Sequence, residues 1–126
     1  MKIQNGYLPI MPYLIVKDAA KFITFMQSVF GATDRMQVPR TEGIIMHGEL
    51  QVQDAVIMFA DATDEYPACT AGMFLYLDNV DEVFAKVEQQ GYKMLQPLEN
   101  RDYGRGFGFA DEFGNTWWVN TPVGQD

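Results

Sequence analysis

The sequence predicts an α+β fold: two βαβββ units forming an eight-stranded curved sheet with a concave cleft. Three observations predict it. Residues 14–29, LIVKDAAKFITFMQSV, resemble residues 75–90, LYLDNVDEVFAKVEQQ, each running from a short apolar strand through an Asp- or Asn-containing turn into a helix. Three strand-like runs follow the helix in each half. The offset between the halves is 61 before the helix ends and 60 after it, so one residue of slippage aligns them.

In the first copy Phe22, Phe25 or Met26, and Val29 recur at helical spacing, and Gly31 closes the helix. Strands are expected near 34–38, 44–52 and 55–60, the last two joined by a Gln53-Asp54 turn. Residues 61–71 are polar, carry Pro67 and read as the linker. In the second copy Asn79-x-x-Glu82 spells a capping box, Val80, Val83 or Phe84, and Val87 form the apolar stripe, and Gly91 ends the helix. Strands are expected near 92–96, 105–110 and 116–121, with Asp111-Glu112-Phe113-Gly114-Asn115 as the last turn. The whole chain, 1–126, thus reads as one domain built of units at about 8–61 and 70–122. A unit of roughly 50–60 residues cannot cover both faces of a four-stranded sheet, so two must pair, and function belongs in the cleft.

Composition narrows the chemistry. With 9 Lys+Arg against 17 Asp+Glu, a formal charge of −8, the chain lacks the basic surface that nucleic acid or an anionic membrane requires. One cysteine, Cys69, makes no internal disulfide and no thiolate metal site, and reads as an inert thiol. One histidine, His47, excludes a centre built on several imidazoles. Prolines 9 and 12 interrupt the apolar N-terminal stretch, so no signal peptide or membrane span is expected and the default compartment is cytoplasmic. The 8 Met, 9 Phe, 6 Tyr and 2 Trp suit a core or an adaptable apolar pocket.

Several strings go further: Pro12-Tyr13-Leu14-Ile15-Val16-Lys17-Asp18, Val29-Phe30-Gly31-Ala32, His47-Gly48-Glu49-Leu50, Asp78-Asn79-Val80-Asp81, Tyr103-Gly104-Arg105, and Asp111-Glu112-Phe113-Gly114-Asn115-Thr116-Trp117. In this order the chain resembles the vicinal oxygen chelate superfamily, which holds glyoxalase I, extradiol dioxygenases, and fosfomycin- and bleomycin-resistance proteins. The resemblance spans about 8–122 and is nearest to small bacterial glyoxalase-like proteins with an HxEL third strand and a DPFGHxW last hairpin. Here Glu112 replaces the usual Pro and Asn115 the usual His. The superfamily contains both metal enzymes and metal-free binding proteins. Its metal enzymes carry ligands on the first and last strand of each unit, positions that the resemblance places at Met11, Met58, Gly72 and Trp118. Two thioethers, a glycine and an indole cannot ligate a hard or borderline divalent ion, so the expectation is that the metal site is lost and no cofactor is needed.

Strand alternation from Met11 turns Tyr13 and Ile15 into the cleft, with Val56, Met58 and Ala60 beside them. Phe74, Tyr76 and Trp118 line the second unit, with Phe107 and Phe109 expected to join them, and Gly72 leaves room for the Trp118 ring. Each aromatic could equally be core packing. His47 and Glu49 are the catalytic candidates, either as an acid–base pair or as a satisfied polar pair in the sheet. Arg101, Tyr103 and Arg105 stand where an anionic group would be held, or where an Asp102–Arg ion pair would order the loop.

Two function classes follow. One is a binding protein similar to the bleomycin-resistance proteins, a homodimer taking a small organic molecule such as a cationic aromatic one, drawn by negative potential. The other is a lyase, isomerase or dioxygenase-type enzyme using Glu49 or His47 as base, with Arg105 or Tyr103 stabilising an enolate-like intermediate.

Overall fold

The computed structural model describes residues 1–124. The chain divides into two compact units, Met1–Thr70 and the remainder from Ala71. Unit 1 runs β1 (Tyr13–Val16), α1 (Ala19–Phe30), β2 (Thr33–Thr41), β3 (Ile44–Val52) and β4 (Ala55–Asp61). Unit 2 runs β5 (Gly72–Tyr76), α2 (Val80–Gln89), β6 (Lys93–Arg101), β7 (Gly104–Ala110) and β8 (Thr116–Pro122). The expected βαβββ order holds in both. The eight strands form two four-stranded sheets, ordered β1-β4-β3-β2 and β5-β8-β7-β6. In each, the outer pair β1–β4 or β5–β8 is parallel and the rest antiparallel. Among the described residues no helix is long and apolar enough to cross a membrane.

One sheet face in each unit is covered by its helix. α1 buries Phe22, Phe25, Met26 and Val29, and the Phe22 ring lies 5.4 Å from that of Phe59 on β4. Side chains of this size contribute about 1.5–3 kcal/mol each when fully buried. Gly48 makes the close approach possible, because a Cβ there would fall 2.3 Å from the Phe59 ring. α2 buries Val80, Val83 and Val87 and sets Phe84 edge-on to Phe107 at 5.1 Å.

The helix starts show the duplication in bonds. Both Asp61 carboxylate oxygens accept backbone N–H groups, from Ala19 at the start of α1 and from Ile45 on β3, each at 2.7 Å. Sixty residues on, the Thr121 hydroxyl accepts from Val80 N at 3.4 Å and donates to Leu77 O at 2.9 Å. The capping box expected at Asn79 does not form: Asn79 makes no side-chain bond to a helix N–H, and its amide meets Glu82 instead. Thr121 already supplies the acceptor that Val80 N requires.

Strands β2 and β6 run longer than expected. Both are edge strands with irregular register around Pro39 and between Gln96 and Glu99, the interval that holds Pro97. Edge positions and bulges tolerate a residue without an N–H, so proline did not end these strands. The linker is not free of pairing either, since Cys69 exchanges both backbone bonds with Ile15 at 2.9 Å. In the last turn Asp111 accepts from Phe113 N, Asn115 N, the Asn115 amide and the Trp117 indole, all within 2.9 Å. Asn115 is fully buried and accepts from Ala71 N at 3.1 Å, so this residue is a structural tie of the hairpin.

Candidate functional site

The face of the unit 1 sheet opposite α1 carries Tyr13 and Ile15 from β1, Met58 and Ala60 from β4, and His47, Glu49 and Gln51 from β3. The register Tyr13↔Met58, Ile15↔Ala60 and Glu49↔Met58 puts them on one side. His47 and Glu49, two apart on a strand, are joined directly: His47 Nε2 lies 2.8 Å from Glu49 Oε2. An ionised carboxylate only accepts, so Nε2 carries the proton, and the neutral ring offers its Nδ1 lone pair to the Tyr13 hydroxyl at 3.0 Å. The result is a chain from Tyr13 through His47 to Glu49.

Glu49 is 2% exposed although it sits on the uncovered face. Its cover comes from two residues that periodicity does not reveal. Asn5 and Gly6 both adopt positive φ, folding the N-terminal segment back so that the Tyr7 hydroxyl donates to the carboxylate, 2.9 Å from each oxygen. Arg35 falls at a register shift between Asp34 and Met36, an irregularity that re-aims its side chain. Its Nε is 3.6 Å from Glu49 Oε1 and its guanidinium lies 5.3 Å from the Tyr7 ring centroid. Burial pushes the Glu49 carboxyl up, but the hydrogen bonds from His47 and Tyr7, the charge that His47 carries when protonated and the charge of Arg35 outweigh it, holding it below its ordinary value. The bond to Glu49, with burial and the carboxylate charge, raises the Tyr7 phenol. Burial and the same charge raise Tyr13, so it stands as a protonated donor.

Beside this chain lies a hollow of about 360 Å³. Tyr13, Ile15, Met46, Ala60 and Tyr66 supply its apolar walls, and Arg40, Asp61 and Thr63 its polar atoms. Tyr66 is set by a tight turn in which Thr63 N donates to Tyr66 O and Tyr66 N to the Thr63 hydroxyl. Of these residues the sequence singled out Tyr13, Ile15 and Ala60. Arg40, Met46 and Tyr66 were missed, as were Tyr7 and Arg35. Only the Asn5-Gly6 pair, a strong turn signal, hinted that the N-terminal segment doubles back.

Unit 2 presents a separate aromatic patch opposite α2. Phe74, Tyr76 and Tyr103 are about half exposed. The Phe74 ring lies 5.2 Å from Tyr76 and 5.9 Å from Tyr103, and the Tyr76 hydroxyl donates to Tyr103 O at 3.3 Å. Trp118 lies on the same face over two glycines: a Cβ on Gly72 would sit 3.0 Å, and on Gly108 3.3 Å, from its ring. The room that Gly72 was expected to leave is therefore occupied by the indole.

Three expected site residues lie elsewhere. Phe107 and Phe109 are buried on the α2 side of β7, packed on Phe84, Tyr92 and each other. The glycines Gly106 and Gly108 hold the opposite face, because Asn120 and Trp118 need that space, and a Cβ on Gly104 would meet the Thr121 carbonyl. Arg105 shares the parity of Phe107 and is held by Asp81 at 2.8 and 3.1 Å. Its bond and charge hold the Asp81 carboxyl below its ordinary value. Arg101 is bonded to the backbone of Pro97 and Gly106. Neither arginine clamps an anion at the Phe74–Tyr103 patch.

Met11 precedes β1, next to Pro12, whose carbonyl accepts from Met58 N at 3.0 Å. The donor set at Met11, Met58, Gly72 and Trp118 does not fit a divalent metal ion. Among the described residues no three His, Cys, Asp or Glu side chains gather into an alternative.

Residues 7–119 match the family model described as Glyoxalase/Bleomycin resistance protein/Dioxygenase superfamily. An uncharacterised protein of Mycobacterium tuberculosis is 28% identical over 124 residues, covering 89% of this chain and 73% of that protein. TioX from Micromonospora sp. ML1 superposes with a TM-score of 0.77 at 20% identity, over 90% of this chain and 98% of that one. TnmS3, an antibiotic binding protein from Streptomyces sp. CB03234, does so at 0.71 and 22% identity, over 93% and 100%.

Proposed function

The chain belongs to the glyoxalase/bleomycin resistance protein/dioxygenase superfamily, and on that footing we propose that it is a metal-independent small-molecule binding protein. It holds an aromatic or amphipathic organic compound on the open face of unit 1 and acts as a homodimer in the cytoplasm. The observation that carries this reading is the hollow walled by Tyr13, Ile15, Met46, Ala60 and Tyr66. Its volume of about 360 Å³ falls in the range of small-molecule pockets, and its walls are the Met and aromatic surface that adapts to an apolar guest. The antibiotic binding described for TnmS3, on a similar fold, supports the same class of activity.

The second unit adds a stacking surface of the kind that a flat ligand uses, with Phe74, Tyr76 and Tyr103 half exposed. Large rings left open in this way favour a second copy as cover. Sedimentation at twice the 14.3 kDa chain mass is expected, and a species of 14.3 kDa alone would refute the dimer.

Binding is tested with 2-naphthylmethanol, a neutral flat probe, followed through the methionine methyl resonances. The Met46 signal is expected to move on titration. Met46→Asp, a change at a position 44% exposed, is expected to abolish binding without unfolding the chain. No movement up to the solubility of this probe or of its anionic and cationic analogues would sink the proposal.

One observation favours catalysis as a second reading: the Tyr13–His47–Glu49 chain ends in a phenolic donor on the wall of the hollow. Turnover of a bound compound that Tyr13→Phe abolishes, with affinity held within about threefold, would establish the enzyme; three-fold is roughly 0.65 kcal/mol.

A further inference from the structure

Resting on the binding reading above, we propose that the ligand of the unit 1 hollow is an organic anion, an aromatic or other apolar carboxylate whose acid group is held by Arg40. The lining contains two charged residues, Arg40 and Asp61. Asp61 is spent: it is 7% exposed and each oxygen already accepts a backbone N–H at 2.7 Å. Arg40 is exposed and, among the described residues, is engaged in no ion pair or hydrogen bond. Glu42, two residues along from Arg40, and Asp64 and Glu65, which follow Thr63, are not part of the lining.

Asp61 keeps its negative charge but has both oxygens occupied, so the charged group of the lining with donors still to offer is Arg40, a planar guanidinium that matches the two oxygens of a carboxylate. Tyr13, Met46 and Tyr66 offer the surface for the apolar body. This reverses the sign that composition suggests. A net charge of −8 would favour a cation, but at physiological salt charges beyond about 8 Å are largely screened, so the groups in the wall decide.

Three probes of one shape separate the possibilities: 2-naphthoate, 2-naphthylmethanol and 2-naphthylmethylammonium, titrated by calorimetry and by the Met46 methyl shift at 0.15 M salt. The naphthoate is expected to bind about tenfold more tightly than the alcohol, a ratio worth about 1.4 kcal/mol, and the ammonium most weakly. Arg40→Gln is expected to erase the preference for the acid, so that naphthoate and alcohol bind the variant equally. Equal affinities for all three, a preference for the ammonium, or a preference that survives Arg40→Gln would overturn the anion assignment and leave the binding reading standing. Failure of all three to move Met46 would overturn both.

Discussion

His47 Nε2 sits 2.8 Å from Glu49 Oε2, and this bond orients the ring toward Tyr13 on the wall of the hollow. Because the carboxylate can only accept, Nε2 carries a proton, and in the neutral form of the ring a lone pair on Nδ1 faces Tyr13. Long-range ¹⁵N–¹H spectra are expected to show Nδ1 as the unprotonated nitrogen. Tyr13→Phe should leave that tautomer in place, whereas Glu49→Gln should mix the two; an Nδ1–H tautomer in the native protein would contradict the assignment.

Glu49 also ties stability to acid. Its carboxyl is held below the ordinary 4.5, so in the unfolded chain it takes up a proton first as the pH drops. Its contribution is complete above about pH 4.5 and declines as the pH falls through the lower native value. Glu49→Gln is expected to cost about 1.5–3 kcal/mol at pH 7, the worth of hydrogen bonds to a charged group, and to flatten the acid limb of a denaturant-midpoint profile. An unchanged limb would show that other carboxylates control it.

Gly48 allows β3 to lie against the Phe59 ring. Gly48→Ala would drive a methyl to 2.3 Å from that ring, which is fully buried and has little freedom to retreat. A loss of about 1–3 kcal/mol is expected in chemical unfolding, as for an overpacked core. Gly31→Ala is the comparison: nothing lies within 4 Å there, and its penalty comes from the backbone, at φ +66. A neutral Gly48→Ala would mean that the core yields.

The Arg105–Asp81 pair has short bonds but an exposed setting, with Asp81 65% open to solvent. Arg105→Gln is expected to cost less than about 1 kcal/mol, and less still at 1 M salt. Since Arg105 lies on the α2 side, probe binding at the hollow should be unaffected. A loss of binding would reinstate it as a ligand contact.

How far the sequence reached is decided residue by residue. The unit order was legible because duplication repeats the helix stripe and the closing glycine. Strand β3 was read at its observed bounds, since the Gln53-Asp54 pair marks its end, where Gln53 takes a positive φ. Strand β7 was misread because its large residues, Phe107 and Phe109, suggested the functional side. The bulk across from them settles parity instead: a Cβ at Gly106 would fall 1.9 Å from Asn120 Oδ1, so only glycine can hold that face. Glu49 was found, but its partner Tyr7 lies 42 residues away, and no local pattern encodes such a contact.

Asp61 and Thr121 hold the same post 60 residues apart with different chemistry. A carboxylate only accepts hydrogen bonds, so Asp61 gathers two donors, one from the helix and one from the neighbouring strand. A hydroxyl gives as well as takes, so Thr121 bridges the helix start to the carbonyl of Leu77. The halves have drifted in their letters while each kept the helix fastened at its first turn. The likeness of the halves is carried by the fastening, and a comparison of residue types alone would pass over it.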